Sequence, residues 1–200
     1  MSSSIRAFAF VLATAAFAYQ AAAAELRSGT LELDPSKTLI EFRLPGALHT
    51  THGTFKLEHG MIKADPRTGA ASGSIIVDAK SGDSGIGARD RPMKDSVLEV
   101  QKYPEITLTP ERITGQLEKD GQFRARLQGV LTLHGAGHQI VMEVQGRLEG
   151  DSLVAKSHFS VLYVEWGMKD PSVLLLTVAK QVDIDIATAG HVVWTLEQAP

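Results

Sequence analysis

The chain contains no cysteine among its 200 residues, and its formal net charge is only −3. Disulfide bonds, thiol chemistry and cysteine-based metal sites are therefore excluded, and the fold depends on its hydrophobic core. Because nucleic-acid binding relies on clustered Lys and Arg that neutralise phosphates, the mildly acidic composition argues against a nucleic-acid partner. A chain of this length is expected to form one domain with a sizeable core.

Long apolar runs are scarce as well, and the one near the start is short. Residues 1–24, MSSSIRAFAFVLATAAFAYQAAAA, contain one cation at Arg6, an apolar run over 7–18 and small residues over 22–24. This layout is typical of a secretory signal peptide, whereas a membrane-spanning helix needs roughly 20 apolar residues. We predict cleavage after Ala24, and a retained membrane anchor is the alternative.

The mature chain, residues 25–200, is expected to be one exported domain. No other stretch is long and apolar enough to cross a bilayer, so a soluble protein is expected. An exported protein without disulfides suits the bacterial periplasm, which is the predicted location. Loss of Arg6 with the signal peptide makes the mature chain one charge more acidic.

Most of the mature sequence alternates between apolar and polar residues. In TLIEFRL, Ile40, Phe42 and Leu44 share one face of the segment, and the two charged residues share the other. Such alternation indicates half-buried strands with one solvated face. The pattern recurs over residues 123–133, 140–150, 182–186 and 191–197.

Turn residues separate these runs at regular intervals. Asp65–Gly69 and Gly135–Gly137 are two examples that suit short hairpin loops. We count about eight to ten strands, which predicts an all-β barrel or sandwich. A barrel also leaves no exposed edge strand.

One segment, residues 87–104, lacks this alternation. Pro92 suits the first turn of a helix, and Tyr103-Pro104 suits its end. The sequence therefore predicts one short helix over about residues 91–101. Its apolar face would carry Met93, Val97 and Val100.

Several motifs occur in an order that identifies a family. They are LELDPSKTLIEFRLPG (31–46), HGTFKLEHGMIKADPRTGAASGSIIVDAKS (52–81), ARDRPMKDSVLEVQKYPEITLTPERITG (88–115), GVLTLHGAGHQIVMEVQG (129–146) and YVEWGMKDPS (163–172) followed by VAKQVDIDI (178–186). Together they resemble the YceI-like family of polyisoprenoid-binding or lipid-binding periplasmic proteins. The resemblance covers nearly all of the mature chain.

The resemblance implies an all-β, eight-stranded antiparallel barrel, lipocalin-like in shape, with one short helix. It also implies a ligand in the barrel lumen: a polyprenyl quinone, a polyprenyl phosphate or a fatty-acyl lipid. Many members carry Phe-Phe-Asp after the helix start, whereas this chain has Val97-Leu98-Glu99-Val100 there. This departure, with an aromatic content of only 6%, bears on the width of the lumen and on the ligand.

Small residues on the inward faces bear on whether the lumen is filled. Ala125, Gly129, Gly146 and Ala155, with Gly73 and Ala79 as further candidates, either leave room for a ligand or ease strand coiling at barrel corners. If room is left, each buried CH₂ of a ligand contributes about 0.8 kcal/mol. The predicted lumen-lining residues are Phe42, Phe55, Ile75, Val77, Ile106, Leu108, Leu131, Met142, Val144, Phe159 and Trp194.

Two further features have two interpretations each. Trp166 is either an aromatic lid at the rim of the ligand site or an anchor that fixes its loop. Arg89 either meets a phosphate or quinone oxygen of a ligand, or belongs with Asp90 to a helix cap and a structural ion pair. Gly167 is expected to adopt a positive φ.

The sequence favours binding without chemical turnover, and three hypotheses can be separated. A carrier needs an apolar lumen, a lumen-sited isomerase or hydrolase needs at least two ionisable groups inside it, and an interaction module would be a solid barrel. No nucleophile elbow or phosphate loop occurs, and Asp183 and Asp185 are expected to face solvent. His134 and His138 could face each other across a hairpin, but no metal site, and no cofactor apart from the lipid, is predicted. A homodimer is left open.

Overall fold

The computed structural model describes residues 27–172 and 177–196. Nine strands in this part of the chain form one antiparallel sheet that closes on itself. The closed, eight-position barrel with one short helix confirms the predicted fold class. The strands are β1 (Arg27–Leu33), β2 (Leu39–Leu44), β3 (Thr51–Ala64), β4 (Ala71–Asp83), β5 (Glu105–Leu117), β6 (Gln122–Leu133), β7 (Ala136–Glu149), β8 (Ser152–Val161) and β9 (Val182–Leu196).

The strands β1 and β2 share one position of the barrel, between β3 and β9. Both pair with β3 on one side and with β9 on the other. A 3₁₀ turn at Pro35–Lys37 interrupts them, and the Asp34 side chain accepts a hydrogen bond from the backbone N–H of Ser36 at 2.9 Å. This hydrogen bonding, chiefly from the Ser36 hydroxyl, lowers the pKa of Asp34. Because β1 and β2 together occupy one position, the nine strands fill eight positions of the barrel.

The connections between strands divide the barrel into two ends. The hairpin turns at residues 65–70, 118–121 and 150–151 lie together at what we term the turn end. The helical segment between β4 and β5 and the loop residues 162–172 and 177–181 lie at the opposite end, termed the helix end.

The helix begins earlier than the sequence predicted. The α-helix α1 spans Gly87–Pro92, and a π-helical turn, Met93–Val97, continues it. The prediction placed Pro92 in the first turn, but it is the last residue of α1. The wider turn after it accommodates proline, which lacks an N–H and crowds a preceding carbonyl. The helical segment ends at Val97 and not at residue 101, and Glu99, two residues later, has a φ of +48°.

A polar cluster ties the end of this helical segment to the β6–β7 hairpin. His134 Nε2 lies 2.5 Å from Glu99 Oε2, and the Tyr103 ring packs 4.7 Å from the His134 ring. His138 has a different partner and stacks on Trp166, with ring centroids 4.1 Å apart. His134 and His138 therefore do not face each other across the hairpin. The described residues contain no group of three or more potential metal ligands.

Two of the predicted room-making glycines act differently in the structure. A Cβ on Gly146 would lie 2.9 Å from the Cα of Ala155 and closer still to the carbonyl oxygen of Val154. A Cβ on Gly129 would collide in the same way with the backbone at Thr109. Both glycines permit close approach of neighbouring strands, which supports the barrel-corner interpretation for these two positions.

The start of the chain lies outside the described residues. The predicted signal peptide, residues 1–24, and the predicted cleavage site therefore stay predictions. Among residues 27–172 and 177–196, no helix has the length and apolarity that a bilayer crossing requires.

Candidate ligand-binding cavity

The barrel encloses a cavity of about 1130 Å³. This volume lies at or above the upper end of the roughly 300–1,000 Å³ typical of small-molecule sites. The cavity reaches from Leu48 at the helix end to Trp194 and Leu117 at the turn end. A barrel filled solid by its own side chains, the third hypothesis from the sequence, is therefore wrong.

Strand alternation places the lining side chains. Ile184 and Ile186 of β9 point inward with Val182, whereas the intervening Asp183 and Asp185 do not line the cavity. All eleven predicted lumen-lining residues contribute to the wall, but their contact with a ligand stays a prediction. They are Phe42, Phe55, Ile75, Val77, Ile106, Leu108, Leu131, Met142, Val144, Phe159 and Trp194.

The sequence analysis missed part of the wall. Met93, Val97 and Leu98 of the helical segment line the helix end of the cavity. Val97 and Leu98 belong to the segment in which the sequence departs from the family pattern, so part of that segment lies in the cavity wall itself. Thr51 and Ser84 also line this end. Their positions converge from separate elements, so no spacing in the sequence marks them.

The ionisable side chains of the wall lie toward its two ends. Asp65 and Arg67 form an ion pair of 3.5 Å at the turn end, where the Arg67 backbone N–H is the main cause of the lowered pKa of Asp65. His49 and Arg89 lie at the helix end. Burial, with the nearby charge of Asp170, raises the pKa of Tyr163 to about 12, so its phenol is neutral at physiological pH.

Arg89 makes hydrogen bonds but no ion pair among the described residues. Its Nη1 donates to Thr51 Oγ1 at 2.8 Å, and its Nε donates to Ser84 Oγ at 3.0 Å. Asp90 accepts from the Ser84 hydroxyl and backbone N–H instead, and the hydroxyl is the largest cause of its lowered pKa. The structural ion pair between Arg89 and Asp90, one of two interpretations from the sequence, is not formed.

Trp166 lies outside the cavity wall. The loop turns through a hydrogen bond from Met168 N–H to the Tyr163 carbonyl and another from Gly167 N–H to Val164, with Gly167 at φ +88°. This is the Schellman arrangement, in which a left-handed residue ends a helical turn. Tyr163 and Met168 are both buried in the core cluster, against which Trp166 packs. The structure thus supports the anchor interpretation of Trp166, and the predicted positive φ of Gly167 is confirmed.

The two tryptophans allow a direct test of this distinction. We expect Trp166→Ala to lower the free energy of unfolding by about 1–3 kcal/mol, because core packing is lost, with lipid affinity unchanged. Trp194→Ala is the matched variant, because Trp194 lines the cavity and is 43% exposed. It should weaken lipid binding at little cost in stability. Denaturant unfolding and lipid titration of both variants measure the contrast, and the reverse pattern would contradict the assignment.

The outer face of β8 and β9 carries the remaining polar cluster. Asp185 accepts from His158 at 2.9 Å and pairs with Arg43 at 3.1 Å, while Asp183 accepts from the Ser160 hydroxyl at 2.8 Å. The Ser160 hydrogen bond is the largest cause of the lowered pKa of Asp183. Ser160 and His158 thus bond to different carboxylates, so this cluster lacks the serine–histidine contact that nucleophilic catalysis needs.

Comparison with known structures supports the fold. Burkholderia cenocepacia BcnA aligns with a TM-score of 0.64 at 18% identity, covering 78% of this chain and 98% of that one. A polyisoprenoid binding domain from Saccharophagus degradans aligns with a TM-score of 0.63 at 18% identity, covering 80% and 97%. The Campylobacter jejuni YceI protein aligns with a TM-score of 0.51 at 15% identity, covering 69% and 80%.

Comparison of sequences assigns the family. A search of curated proteins gave no match. The family model of the YceI-like domain matches residues 31–189, which is most of the chain and nearly all of the barrel. The motifs, the closed barrel and this match agree, and the chain belongs to the YceI-like domain family.

Proposed function

We propose that this protein binds a polyisoprenoid or another long-chain lipid in the barrel lumen and carries or sequesters it without chemical turnover. The observation that carries this proposal is the cavity of about 1130 Å³, whose wall is apolar along most of its length. Such a wall accommodates a long, slim ligand of low polarity.

The driving force would come from the ligand's tail. Each CH₂ removed from water contributes about 0.8 kcal/mol, so a long chain binds tightly with few polar contacts. Phe42 and Phe55 lie side by side in the wall, with ring centroids 5.5 Å apart, and offer broad apolar surfaces. Ser157 is a small polar exception on β8, and its cross-strand neighbours, Val144 and Ile186, are aliphatic.

Relatives are consistent with this role. The Saccharophagus degradans domain is described as polyisoprenoid binding, and its barrel superposes on this one over most of both chains. At 18% identity the likeness concerns the fold, so the ligand class rests on the wall of the cavity in this protein.

Binding without turnover fits the placement of charge better than the enzyme alternative does. A lumen-sited isomerase or hydrolase needs ionisable groups that converge on one bond of the substrate. Here Asp65 and Arg67 neutralise each other at one end, and Arg89 and the exposed His49 lie at the other. Tyr163 lies within the core cluster and donates to the Ala179 carbonyl.

Protein purified from the cells that express it, with whatever lipid it has bound there, tests the proposal. The full chain, with residues 1–24, is expressed in a Gram-negative bacterium, and periplasmic and cytoplasmic fractions are analysed by native mass spectrometry followed by lipid extraction. We expect a protein that has lost residues 1–24, found in the periplasm, with a non-covalent apolar mass that denaturation releases unchanged. A protein that carries no such mass and takes up no long-chain lipid in vitro would contradict the proposal.

A further inference from the structure

Among the described residues, the guanidinium of Arg89 lies in the cavity wall without an ion pair. Arg67, the other arginine in the wall, forms an ion pair with Asp65. Arg89 forms none among residues 27–172 and 177–196. A partly buried charge beside an apolar cavity is costly unless a group of opposite charge meets it.

The hydrogen bonds of Arg89 hold the guanidinium in one orientation. Its Nε donates to Ser84 Oγ at 3.0 Å, its Nη1 to Thr51 Oγ1 at 2.8 Å and its Nη2 to the Ser84 carbonyl at 3.4 Å. Each terminal nitrogen carries a second N–H that has no acceptor among the described residues. The N–H groups left free on Nη1 and Nη2, which we term the fork, can donate charge-assisted hydrogen bonds to the oxygens of an anion.

Asp90 serves to orient Ser84 and does not cover the fork. Ser84 donates its hydroxyl proton to Asp90 Oδ1 at 2.5 Å and its backbone N–H to the same oxygen at 2.9 Å. A lone pair of the Ser84 hydroxyl is thereby turned toward Arg89 Nε. The carboxylate of Asp90 is therefore separated from the guanidinium by the Ser84 hydroxyl.

Thr51 adds a second polar group at the same place. It is the buried polar residue of the described chain, at 9% exposure, and it lines the cavity. Its oxygen accepts from Arg89, so its own proton is available, and no acceptor for it occurs among the described residues. A donor of this kind next to a guanidinium fork suits an oxygen anion.

We infer that the helix end of the cavity binds an anionic oxygen head group, a carboxylate or a phosphate, through Arg89 and Thr51. This inference rests on the proposed function, because it names the head group of the lipid that the lumen holds. The head lies at the helix end, and the tail runs along the barrel toward Leu117 and Trp194 at the turn end. A neutral alcohol of the same chain length would leave the charge of Arg89 unmatched.

Three amphiphiles with the same saturated chain test the head group: palmitate, hexadecyl phosphate and hexadecanol. Each is titrated at pH 8 against the delipidated mature protein in competition with a fluorescent fatty-acid probe. We expect the two anions to bind at least about tenfold more tightly than the alcohol. The preference for the anions over the alcohol should shrink at high salt, since salt partly screens the attraction between the anionic head group and Arg89. The anion that binds more tightly distinguishes a carboxylate head from a phosphate head.

Variants then assign the preference to Arg89. Arg89→Gln should remove the preference for anions and leave the affinity for hexadecanol unchanged, and Arg89→Lys should restore part of it. Arg91→Gln, on the same helix but exposed and outside the cavity wall, is the matched control and should keep the preference. Thr51→Val is a second variant that leaves the charge in place, and it should reduce the preference severalfold.

The outcomes separate this inference from the proposed function. If none of the amphiphiles binds, the proposed function is wrong. If all three bind equally in the wild-type protein, the lumen binds lipid but the head-group inference is wrong, and this comparison needs no variant to fold. Equal losses of palmitate and hexadecanol affinity in a folded Arg89→Gln variant would likewise assign Arg89 to structure alone.

Discussion

Replacing Ala155 with tryptophan is expected to weaken lipid binding by at least about tenfold. Ala155 is buried on β8 and lines the cavity between Phe159 and Leu153, so an indole there would occupy space that the tail needs. Excluding two CH₂ groups from the wall costs about 1.6 kcal/mol, and 1.4 kcal/mol is a factor of ten in affinity. Titration with a fluorescent long-chain probe measures the change.

The control for this plug is the neighbouring outward position. Val154 is 53% exposed on the same strand, so Val154→Trp adds the same side chain to the outside of the barrel and should leave affinity unchanged. If Ala155→Trp does not fold, Ala125→Trp on β6 places a plug in the same wall. Retained affinity in a folded plug variant, with the cavity narrowed, would mean that the lipid binds elsewhere.

Replacing Gly146 with alanine is expected to destabilise the barrel by about 3 kcal/mol, at the upper end of overpacking costs. The added methyl group would collide with the backbone at Val154 and Ala155 and lie 2.9 Å from the Phe123 ring. A backbone obstacle cannot rotate aside, so β7 and β8 must separate locally. For a domain of this size the melting temperature should fall by about 10 °C.

The matched control is Gly87→Ala in α1. A Cβ on Gly87 would meet no atom within 4 Å, and this glycine has no positive φ. Alanine is the better helix former, so this variant should be neutral or slightly more stable. Thermal unfolding of both variants by circular dichroism gives the comparison. A melting temperature of Gly146→Ala close to that of wild type would show that the strands are not held this closely.

The alternation of residue types predicted a barrel or a sandwich, and the resemblance to the YceI-like family selected the barrel. A strand has only two faces, so assigning Ile184 and Ile186 to one face excludes Asp183 and Asp185 from the cavity. Alternation and the family's barrel together led to Phe42, Met142 and the other predicted residues, which line the cavity, while their contact with a ligand stays a prediction. Turn residues between the runs gave a count of about eight to ten strands, close to the nine that the structure describes.

The remaining features depend on contacts that pattern alone does not contain. The helix begins at Gly87, well before Pro92, and its first backbone hydrogen bonds run from the N–H groups of Arg89 and Asp90 to the Ile86 carbonyl. Gly129 and Gly146 alternate in register with inward-facing apolar residues, but the backbone of the neighbouring strand occupies the space that a side chain would need there. Arg89, Ser84 and Thr51 come from a helix, the loop before it and a strand, and only the folded chain brings them together.

The seam at which β1 and β2 meet β9 has a consequence for how the protein matures. The register pairs Arg27 with Leu196 and Leu39 with Ala187, so the wall is completed only by contacts between residues that are about as far apart in sequence as the barrel allows. Such pairings are slow to form, because the chain must search widely before they are gained. We therefore expect closure of the barrel, through the pairing of β9 with β1 and β2, to be a late step in folding.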